Sequence, residues 1–462
     1  MSSRRDPREV RVAGAAVGGP SRRRNLERVS KEYPAVPLDA WVDPEAVFCA
    51  LADGADDVFW LDAGPTATAG WSFLGTGRRE EHPDSVREVA LGGPTTDEIV
   101  GVPFRGGWVG WLSYEDAAAR AGAPAAEPDA AVPQAAWLRA ESFLAFDHAT
   151  RRVWAVGEEA DAAALASLAR GAVPPHPVPP PPTAVEASAR HRPDEYAGLV
   201  ERCRDHIREG DAYQLCLTTR FTLDRPVDAV AAYRRLRTAT PSHHGGFIRV
   251  GGVALASASP EQFLEVGGGT VRTKPIKGTR PRGATPDEDA ALAAELRANE
   301  KERAENVMIV DLMRNDLSRV CEPGSVGVDG LLEVESYPAV HQLVSTVSGR
   351  LLPGTTLGGL LDAAFPAGSM TGAPKLSAMT ILHELERGPR GVFSGCFGWV
   401  GGDGALDLAM VIRSIVAHAN GAYVGAGGGI TWRSDPPAEV AEVGIKARAP
   451  LAAIGATLPP GW

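Results

Sequence analysis

A run of prolines interrupts the chain between Val173 and Pro193, in the segment VPPHPVPPPPTAVEASARHRP. Proline restricts its own φ angle and has no amide hydrogen, so a segment this rich in proline does not continue a helix or the interior of a sheet. Its composition predicts a polyproline-like linker without helix or sheet over residues 173–192. We therefore expect two parts, residues 34–172 and residues 193–458.

The two parts differ in their hydrophobic pattern. The first alternates short apolar runs with Gly/Pro turns, as in DDVFWLDAGPTATAGWSFLGTG and SFLAFDHATRRVWAVG, which predicts antiparallel strands. After the linker, PDEYAGLVERCRDHIREGD has helical spacing and AYQLCLTTRFTL is typical of a strand. Helices and strands then alternate and carry the densest polar motifs. We expect a strand-rich N-terminal subdomain followed by a domain that carries the chemistry.

Charge and cysteine content exclude several classes of protein. The formal net charge of -11 argues against a nucleic-acid binder, so an anionic substrate must be held by local cations or by a metal. Five scattered cysteines without a CxxC pair predict a reduced, cytoplasmic protein. No apolar run reaches the roughly 18 residues of a membrane helix, so no membrane association is expected. Residues 1–33, with nine Lys/Arg against four Asp/Glu, predict a disordered basic tail.

Two predicted helices each carry a pair of glutamates on one face. Glu302 and Glu305 stand three residues apart in ANEKERAENVMIVDLMRNDLSRV. Glu439 and Glu442 repeat this spacing in a helix for which Asp435 is the predicted N-cap. Several carboxylate ligands without His or Cys suit Mg²⁺. Pattern alone favours the other interpretation, two solvated helix faces.

An Asn420-Gly421 pair between alternating strands predicts a hairpin with a two-residue turn. Counted back from that turn, the register places Arg413 opposite Gly428. A carboxylate could then approach the backbone beside the arginine, because glycines have no side chain to block it. A structural arginine over a glycine bulge is an equal alternative. The glycines concerned are Gly427, Gly428 and Gly429.

Five further polar side chains are candidates for the site. Lys277, in TKPIKGTRPRG, is a surface charge, an anion clamp or a nucleophile, and Lys446 follows Glu442 by one helical turn. Thr371 precedes a helix and offers either a capping or a ligand hydroxyl. His341, in an apolar strand, is more often structural than catalytic. Glu261 follows a Ser-Pro turn and, if held among apolar neighbours, could act as a general acid rather than as a surface charge.

Taken together, these motifs resemble the chorismate-utilising enzymes, the family of anthranilate synthase, aminodeoxychorismate synthase, isochorismate synthase and salicylate synthase. The similar segments run in family order over about residues 190–456 and include ASASPEQFL, PIKGTRPR, VHQLVSTVSG, GSMTGAPK, MVIRS and GAGGGI. The resemblance implies an α+β fold with two large antiparallel sheets packed as a sandwich and surrounded by helices.

The resemblance also implies a role for each candidate residue. Glu302, Glu305, Glu439 and Glu442 fall where the family holds Mg²⁺, which in turn binds the ring carboxylate of chorismate. His341, Thr371, Arg413, Lys446 and the three glycines fall where the substrate is held, and Glu261 falls on the acid that helps the C4 hydroxyl to leave. Trp399 stands where members often have a tyrosine that contacts the enolpyruvyl carboxylate.

Two positions point to one branch of the family. Members that add water carry a lysine where this chain has Gln214, and members that make anthranilate read PIAGT where this chain reads PIKGT. The resemblance is thus to aminodeoxychorismate synthase component I, and it implies that Lys277 is the nucleophile. A lysine attacks only when neutral, and we expect desolvation beside the cations Lys274 and Mg²⁺ to favour that form.

No GxCxG segment of a glutamine amidotransferase is present in the sequence. We therefore expect ammonia to come from a partner glutaminase subunit or from solution. Two alternatives stay open. One is an anthranilate synthase component I or a 2-amino-2-deoxyisochorismate synthase, and the other is a non-catalytic subunit that regulates a glutaminase. The sequence also leaves open whether the product serves folate or another aromatic pathway.

Overall fold

The computed structural model describes residues 33–92, 101–181, 184–338 and 340–462, so the predicted basic tail lies outside the described residues except for Tyr33. The helices are α1 (Pro44–Gly54), α2 (Tyr114–Arg120), α3 (Glu159–Gly171), α4 (Pro193–Glu209), α5 (Ala229–Ala239), α6 (Pro286–Ala298), α7 (Glu300–Ser318), α8 (Leu357–Ala364), α9 (Lys375–Glu386) and α10 (Pro436–Ala453). Short 3₁₀ helices cover Pro83–Glu88 and Gly368–Met370. In this part of the chain, no helix combines the length and the apolar character that crossing a membrane requires.

The strands of the first half are β1 (Ala35–Pro37), β2 (Val58–Asp62), β3 (Trp71–Thr76), β4 (Arg78–Arg79), β5 (Gly107–Leu112), β6 (Ala135–Ala140), β7 (Phe143–Asp147), β8 (Arg152–Val156), β9 (Val185–Glu186) and β10 (Ser188–Ala189). The next strands are β11 (Gln214–Leu223), β12 (His244–Val250), β13 (Val253–Ser259), β14 (Gln262–Gly267), β15 (Thr270–Thr273), β16 (Ile276–Pro281), β17 (Gly327–Ser336) and β18 (Val340–Arg350). The last are β19 (Gly372–Ala373), β20 (Cys396–Gly401), β21 (Leu406–Met410), β22 (Ser414–His418), β23 (Gly421–Ile430) and β24 (Ala456–Thr457).

Two large antiparallel sheets confirm the predicted α+β sandwich. The first has the order β1-β8-β7-β3-β2-β12-β13-β22-β23-β11-β10, with β19 paired to β11. The second has the order β16-β18-β15-β14-β21-β20-β5-β6-β4, with β17 paired to β18.

The burial of β2 shows how the layers are arranged. All five of its residues are buried, because each face of the strand is covered. Phe59 and Leu61 pack into the core between the sheets. Trp60, on the opposite face, packs into a second core with helical residues such as Phe48 and Tyr233. The first sheet thus lies between the second sheet and a layer of helices.

Strands from both sides of the proline-rich segment share each sheet. In the first sheet β2 pairs with β12, and in the second β5 pairs with β20. The prediction that residues 173–192 contain no sheet was wrong at their end. There β9 pairs with β24 and β10 pairs with β11, because these residues follow the prolines and have amide hydrogens to donate.

The hairpin of β22 and β23 exists, but its predicted register was wrong. His418 pairs with Gly421, so the turn consists of Ala419 and Asn420. Gly421 belongs to the ladder instead, where its backbone packs closely against β11. Only glycine allows this approach, because a Cβ at this position would stand 2.3 Å from the Leu223 carbonyl oxygen. The register is therefore shifted by two residues from the one predicted.

Candidate active site

A cavity of about 370 Å³ lies where β11 and β23 of the first sheet face β16 and β18 of the second, beside α7 and α10. Most of the candidate site residues singled out in the sequence line this cavity, although they come from distant parts of the chain. They are Glu261, Lys277, Glu302, Glu305, Arg413, Gly427, Gly428, Gly429, Glu439, Glu442 and Lys446. The cavity is hereafter called the carboxylate pocket.

Glu261 is a buried acid on the wall of this pocket. The Ser369 hydroxyl donates a hydrogen bond to its Oε1 at 3.0 Å. Burial raises the pKa of Glu261 to about 7, although Lys277, the Ser369 hydrogen bond and Lys446 act in the opposite direction. A carboxyl group with this pKa is partly protonated at neutral pH, so it can donate a proton.

Lys277 projects from β16 into the pocket. Its Nζ lies 3.9 Å from Glu305 Oε2 and 3.5 Å from the position of a Cβ on Gly429. The sequence predicts that Lys274 lies beside Lys277, but Lys274 does not line the carboxylate pocket. The Lys274 ammonium is 3.3 Å from Glu335 Oε1, and its side chain lines a separate cavity between the sheets. A bulge between Ile276 and Thr279 shifts the register in which β16 pairs with β18, and Lys277 lies in this bulge.

The two glutamate pairs lie on α7 and α10, as predicted, and Asp435 caps α10 by accepting a hydrogen bond from the Ala438 amide. Burial raises the pKa of Glu305 and of Glu439. Burial also acts to raise the pKa of Glu442, but the pKa is lowered because Lys446, 2.7 Å from its Oε1, acts together with Lys301 and Lys277 against burial. Burial therefore dominates at Glu305 and Glu439, and the nearby cations dominate at Glu442.

The donor set of this pocket fits a hard divalent cation. All four candidates are carboxylates, and Glu305 Oε1 is buried without a hydrogen-bond partner. No three of them have oxygens within 4.8 Å of one another; among the described residues, the group that meets this distance is His206, Glu209 and Asp211. Three of the four carboxylates pair with cations instead, such as Lys301, 3.9 Å from Glu305 Oε1, and Glu439 accepts a hydrogen bond from the Ser434 hydroxyl. They line one pocket without converging on one point.

Arg413 and the glycine strand also line the pocket, and the glycines lie next to the acids of α10. Arg413 has a φ of 53°, in the left-handed region, and immediately precedes β22. Burial lowers the pKa of Arg413, and Glu442 partly offsets this effect. Lys446 donates a hydrogen bond to the Gly427 carbonyl at 2.8 Å. A Cβ on Gly428 would stand 3.0 Å from Glu439 Oε2, so both cations and bare backbone face the pocket.

His341 and Thr371 are not among the residues that line the pocket. The His341 ring is buried on β18 and hydrogen-bonded to Ser336 Oγ and to Asp289, each at 2.8 Å. Its neighbour Gln342 lines the pocket, because successive residues of a strand face opposite sides.

Thr371 does not cap α9, since its hydroxyl donates to the Ala367 carbonyl beneath the pocket. The lining hydroxyl is that of Ser369, two residues earlier. The motif GSMTGAPK contains both residues, so the sequence located the segment but not the side chain.

Trp399 also lies outside the carboxylate pocket. It lines a cavity of about 650 Å³ between the two sheets, where its ring packs against Phe104, with 5.0 Å between ring centroids, and against Phe73. Trp399 therefore belongs to this second cavity and not to the carboxylate pocket.

The family of the chain follows from comparison with known proteins. Residues 43–452 match the family described as chorismate binding enzyme. The protein belongs to this family of chorismate binding enzymes, and the resemblance inferred from its motifs is confirmed.

Individual relatives include both aminodeoxychorismate synthases and anthranilate synthases. The chain is 40% identical over 466 residues to the aminodeoxychorismate synthase of Streptomyces pristinaespiralis, and the match covers 89% of this chain and 64% of that protein. It is 38% identical to the anthranilate synthase component 1 of Streptomyces coelicolor, over 98% of this chain and 95% of that protein. The crystal structure of anthranilate synthase component I from Streptococcus pneumoniae TIGR4 superposes with a TM-score of 0.71 and 28% identity, over 97% of this chain and 95% of that chain.

Proposed function

We propose that the protein aminates chorismate at C4 to give 4-amino-4-deoxychorismate. The observation that carries the proposal is the position of Lys277, whose amine lies in the carboxylate pocket near Glu305 and Gly429. A largely buried amine that shares a pocket with a partly protonated acid is suited to nucleophilic attack followed by departure of a hydroxyl. Relatives named aminodeoxychorismate synthase support the same reaction.

The reaction takes place in two displacements. The neutral Lys277 nitrogen bonds to C2 of chorismate, both ring double bonds shift toward C4, and the C4–O bond breaks. The leaving oxygen takes a proton from Glu261 and departs as water, and the proton that the lysine nitrogen loses on bonding restores Glu261. Ammonia then bonds to C4, both double bonds shift back, and the C2–N bond breaks as the departing Lys277 nitrogen takes a proton from the new amine. Chorismate and ammonia thus give the 4-amino product and water.

Chorismate is a dianion, and the pocket offers groups that match each of its carboxylates. Arg413 and Lys446 supply positive charge beside the unhindered backbone of Gly427, Gly428 and Gly429. The four glutamates would hold Mg²⁺, which when bound neutralises the ring carboxylate.

A second candidate function is that of an anthranilate synthase component 1. It is favoured by the 38% identity that extends over 95% of the Streptomyces coelicolor protein. In that reaction ammonia attacks C2 directly and no lysine adduct forms. A third candidate, a non-catalytic subunit that regulates a glutaminase, predicts no turnover of chorismate at all.

Mass spectrometry without ammonia separates these candidates. With chorismate and Mg²⁺ but no ammonia, the first displacement proceeds and the second does not, so the intact mass should rise by chorismate less water. Digestion should place the addition on Lys277. Lys277→Ala should abolish both the adduct and the 4-amino product, whereas the matched control Lys274→Ala, in the other cavity, should retain them. A Lys277→Ala variant that makes the 4-amino product at the parental rate would refute the covalent mechanism.

A further inference from the structure

An arginine is buried behind the wall of the carboxylate pocket. Arg390 lies in the loop after α9, is 2% exposed, and stacks on the Tyr114 ring with 4.3 Å between its guanidinium carbon and the ring centroid. Its guanidinium donates five hydrogen bonds, as many as it has N–H groups. The acceptors are both carboxylate oxygens of Glu386, the carbonyl oxygens of Met370 and Cys216, and the Ser394 hydroxyl. The buried charge is therefore fully paired.

Two of these acceptors belong to residues that line the carboxylate pocket, Met370 and Cys216. One terminal nitrogen of Arg390 donates to the Met370 carbonyl at 2.6 Å, and the other donates to the Cys216 carbonyl at 2.8 Å. Hydrogen bonds from an ionised donor are stronger than those between neutral groups. Because a single planar group makes both bonds, it fixes the 3₁₀ helix Gly368–Met370 against β11.

This short helix carries the hydroxyl that contacts the proposed acid. Ser369 precedes Met370, and its hydroxyl donates to Glu261 Oε1 at 3.0 Å. After Met370, the Thr371 carbonyl accepts a hydrogen bond from the Cys216 amide at 2.8 Å, so the segment is held to β11 from both sides. The place of the Ser369 hydroxyl, and with it the orientation of the Glu261 carboxyl group, thus depends on Arg390.

The first part of the chain holds the backbone of the arginine. Glu115, on α2, is buried, and its two carboxylate oxygens accept hydrogen bonds from the amides of Arg390 at 2.6 Å and Gly391 at 2.8 Å. The Tyr114 amide donates to the Gly391 carbonyl at 3.0 Å. A buried ion pair adds little net stability over apolar residues of similar volume, so positioning accounts better for this arginine than stability does.

We propose that Arg390 is the positioning residue for the general acid: it holds Ser369, and through Ser369 the Glu261 carboxyl group, in place for proton transfer. Arg390 itself does not line the pocket. The inference rests on the proposed function, in which Glu261 protonates the leaving C4 hydroxyl. A catalytic group displaced by about 1 Å loses much of its effect, whereas the cations proposed to bind chorismate, Arg413 and Lys446, make no contact with Arg390.

A double-mutant cycle tests this role. Arg390→Lys keeps the positive charge, but an ammonium with three donors cannot replace the five N–H groups of a planar fork. With ammonium chloride as the nitrogen source, kcat for chorismate consumption should fall at least about tenfold, while KM for chorismate stays within about threefold. In a Glu261→Gln background the same change should lower the remaining kcat less than about threefold, because the acid that Arg390 positions is already absent.

A matched control separates positioning from a general loss of stability. Arg237, on α5, also stacks on an aromatic ring, that of Trp60, and pairs with the buried Asp62, and neither charged residue lines the carboxylate pocket. Arg237→Lys should lower the urea midpoint by a similar amount and leave kcat within about twofold of the parental value.

A second variant is available if Arg390→Lys does not fold. Glu115→Gln keeps the shape of the side chain but loses one acceptor oxygen, so one of the amides of Arg390 and Gly391 loses its partner. It should show the same pattern, a lower kcat with an unchanged KM, and the same weak effect in the Glu261→Gln background.

Three results would overturn the proposal. One is an equal loss of kcat in the parental and the Glu261→Gln backgrounds, and another is a higher KM with an unchanged kcat. The third is a crystal structure of Arg390→Lys in which the Ser369 hydroxyl still bonds to Glu261, where we expect the two to be separated. Parental protein that does not consume chorismate refutes the proposed function instead, and the crystal structure then still decides whether Arg390 positions Ser369.

Discussion

Glu261→Gln should stabilise the protein at alkaline pH and have little effect at acidic pH. The folded protein holds the pKa of Glu261 at about 7, against 4.5 for an unperturbed carboxyl group. Between these values the folded state binds more protons at this site than the unfolded state, so the stability of the parental protein falls as pH rises. Above about pH 7, proton binding at Glu261 no longer contributes to the stability of the parental protein.

The magnitude follows from the same two values. At about 1.36 kcal/mol for each pH unit, the interval from 4.5 to about 7 corresponds to about 3 kcal/mol. Glutamine has the same shape, stays neutral, and can still accept the hydrogen bond from Ser369. The free energy of unfolding of Glu261→Gln, less that of the parent, should therefore rise by about 3 kcal/mol between about pH 4.5 and about pH 8.

Urea titrations of both proteins across this pH range measure the difference, in which other titrating groups cancel. Glu384→Gln, at an exposed position on α9, is the control and should change the difference by less than about 0.5 kcal/mol. The argument fails if the difference for Glu261→Gln is the same at both ends of the range. If Glu261 is the acid that protonates the leaving hydroxyl, as we propose, the same variant should also lose most of its turnover.

Three further predictions concern the pocket. Glu305→Gln and Glu442→Gln should each abolish turnover while leaving the circular dichroism spectrum unchanged, and full activity in EDTA would contradict a role for the metal. Without a glutaminase, initial rates with ammonium chloride should rise with pH as the fraction of free ammonia grows. Turnover of the isolated chain with glutamine would contradict the prediction that the chain itself uses only free ammonia. Gly429→Ala places a Cβ 2.5 Å from Gln214 Nε2 and 3.5 Å from Lys277 Nζ, so it should slow formation of the lysine adduct at least about tenfold. Rapid-quench mass spectrometry measures this rate, and an unchanged rate would rule out the close packing.

Local features of the sequence were enough to predict the helices that carry the acids. The spacing of Glu302 and Glu305 on α7, and of the pair on α10, puts each pair on one face because helical geometry depends on neighbouring residues alone. Asp435 was identifiable as a cap for the same reason. The family motifs identified Lys277 and Glu261, and the structure places both of them in one pocket.

Features that depend on strand pairing were not predictable in this way. The face that a strand residue presents changes with every single-residue step, so His341 faces away from the pocket and Gln342 faces into it. Lys274 and Trp399 likewise line the cavity between the sheets. The hairpin register shifted because Gly421 is needed for close approach to β11, a contact between residues about 200 positions apart.

The tertiary structure alone decided which surfaces and side chains meet. The pocket joins residues from Glu261 to Lys446, and its electrostatics arise from that convergence. The pKa of Glu261 is raised only because surrounding elements remove the carboxyl group from water. Tyr213 and Trp432 have nothing in their local sequence that marks them as surface residues. They are exposed together because β11 and β23 pair in this register and end at the same edge of the sheet.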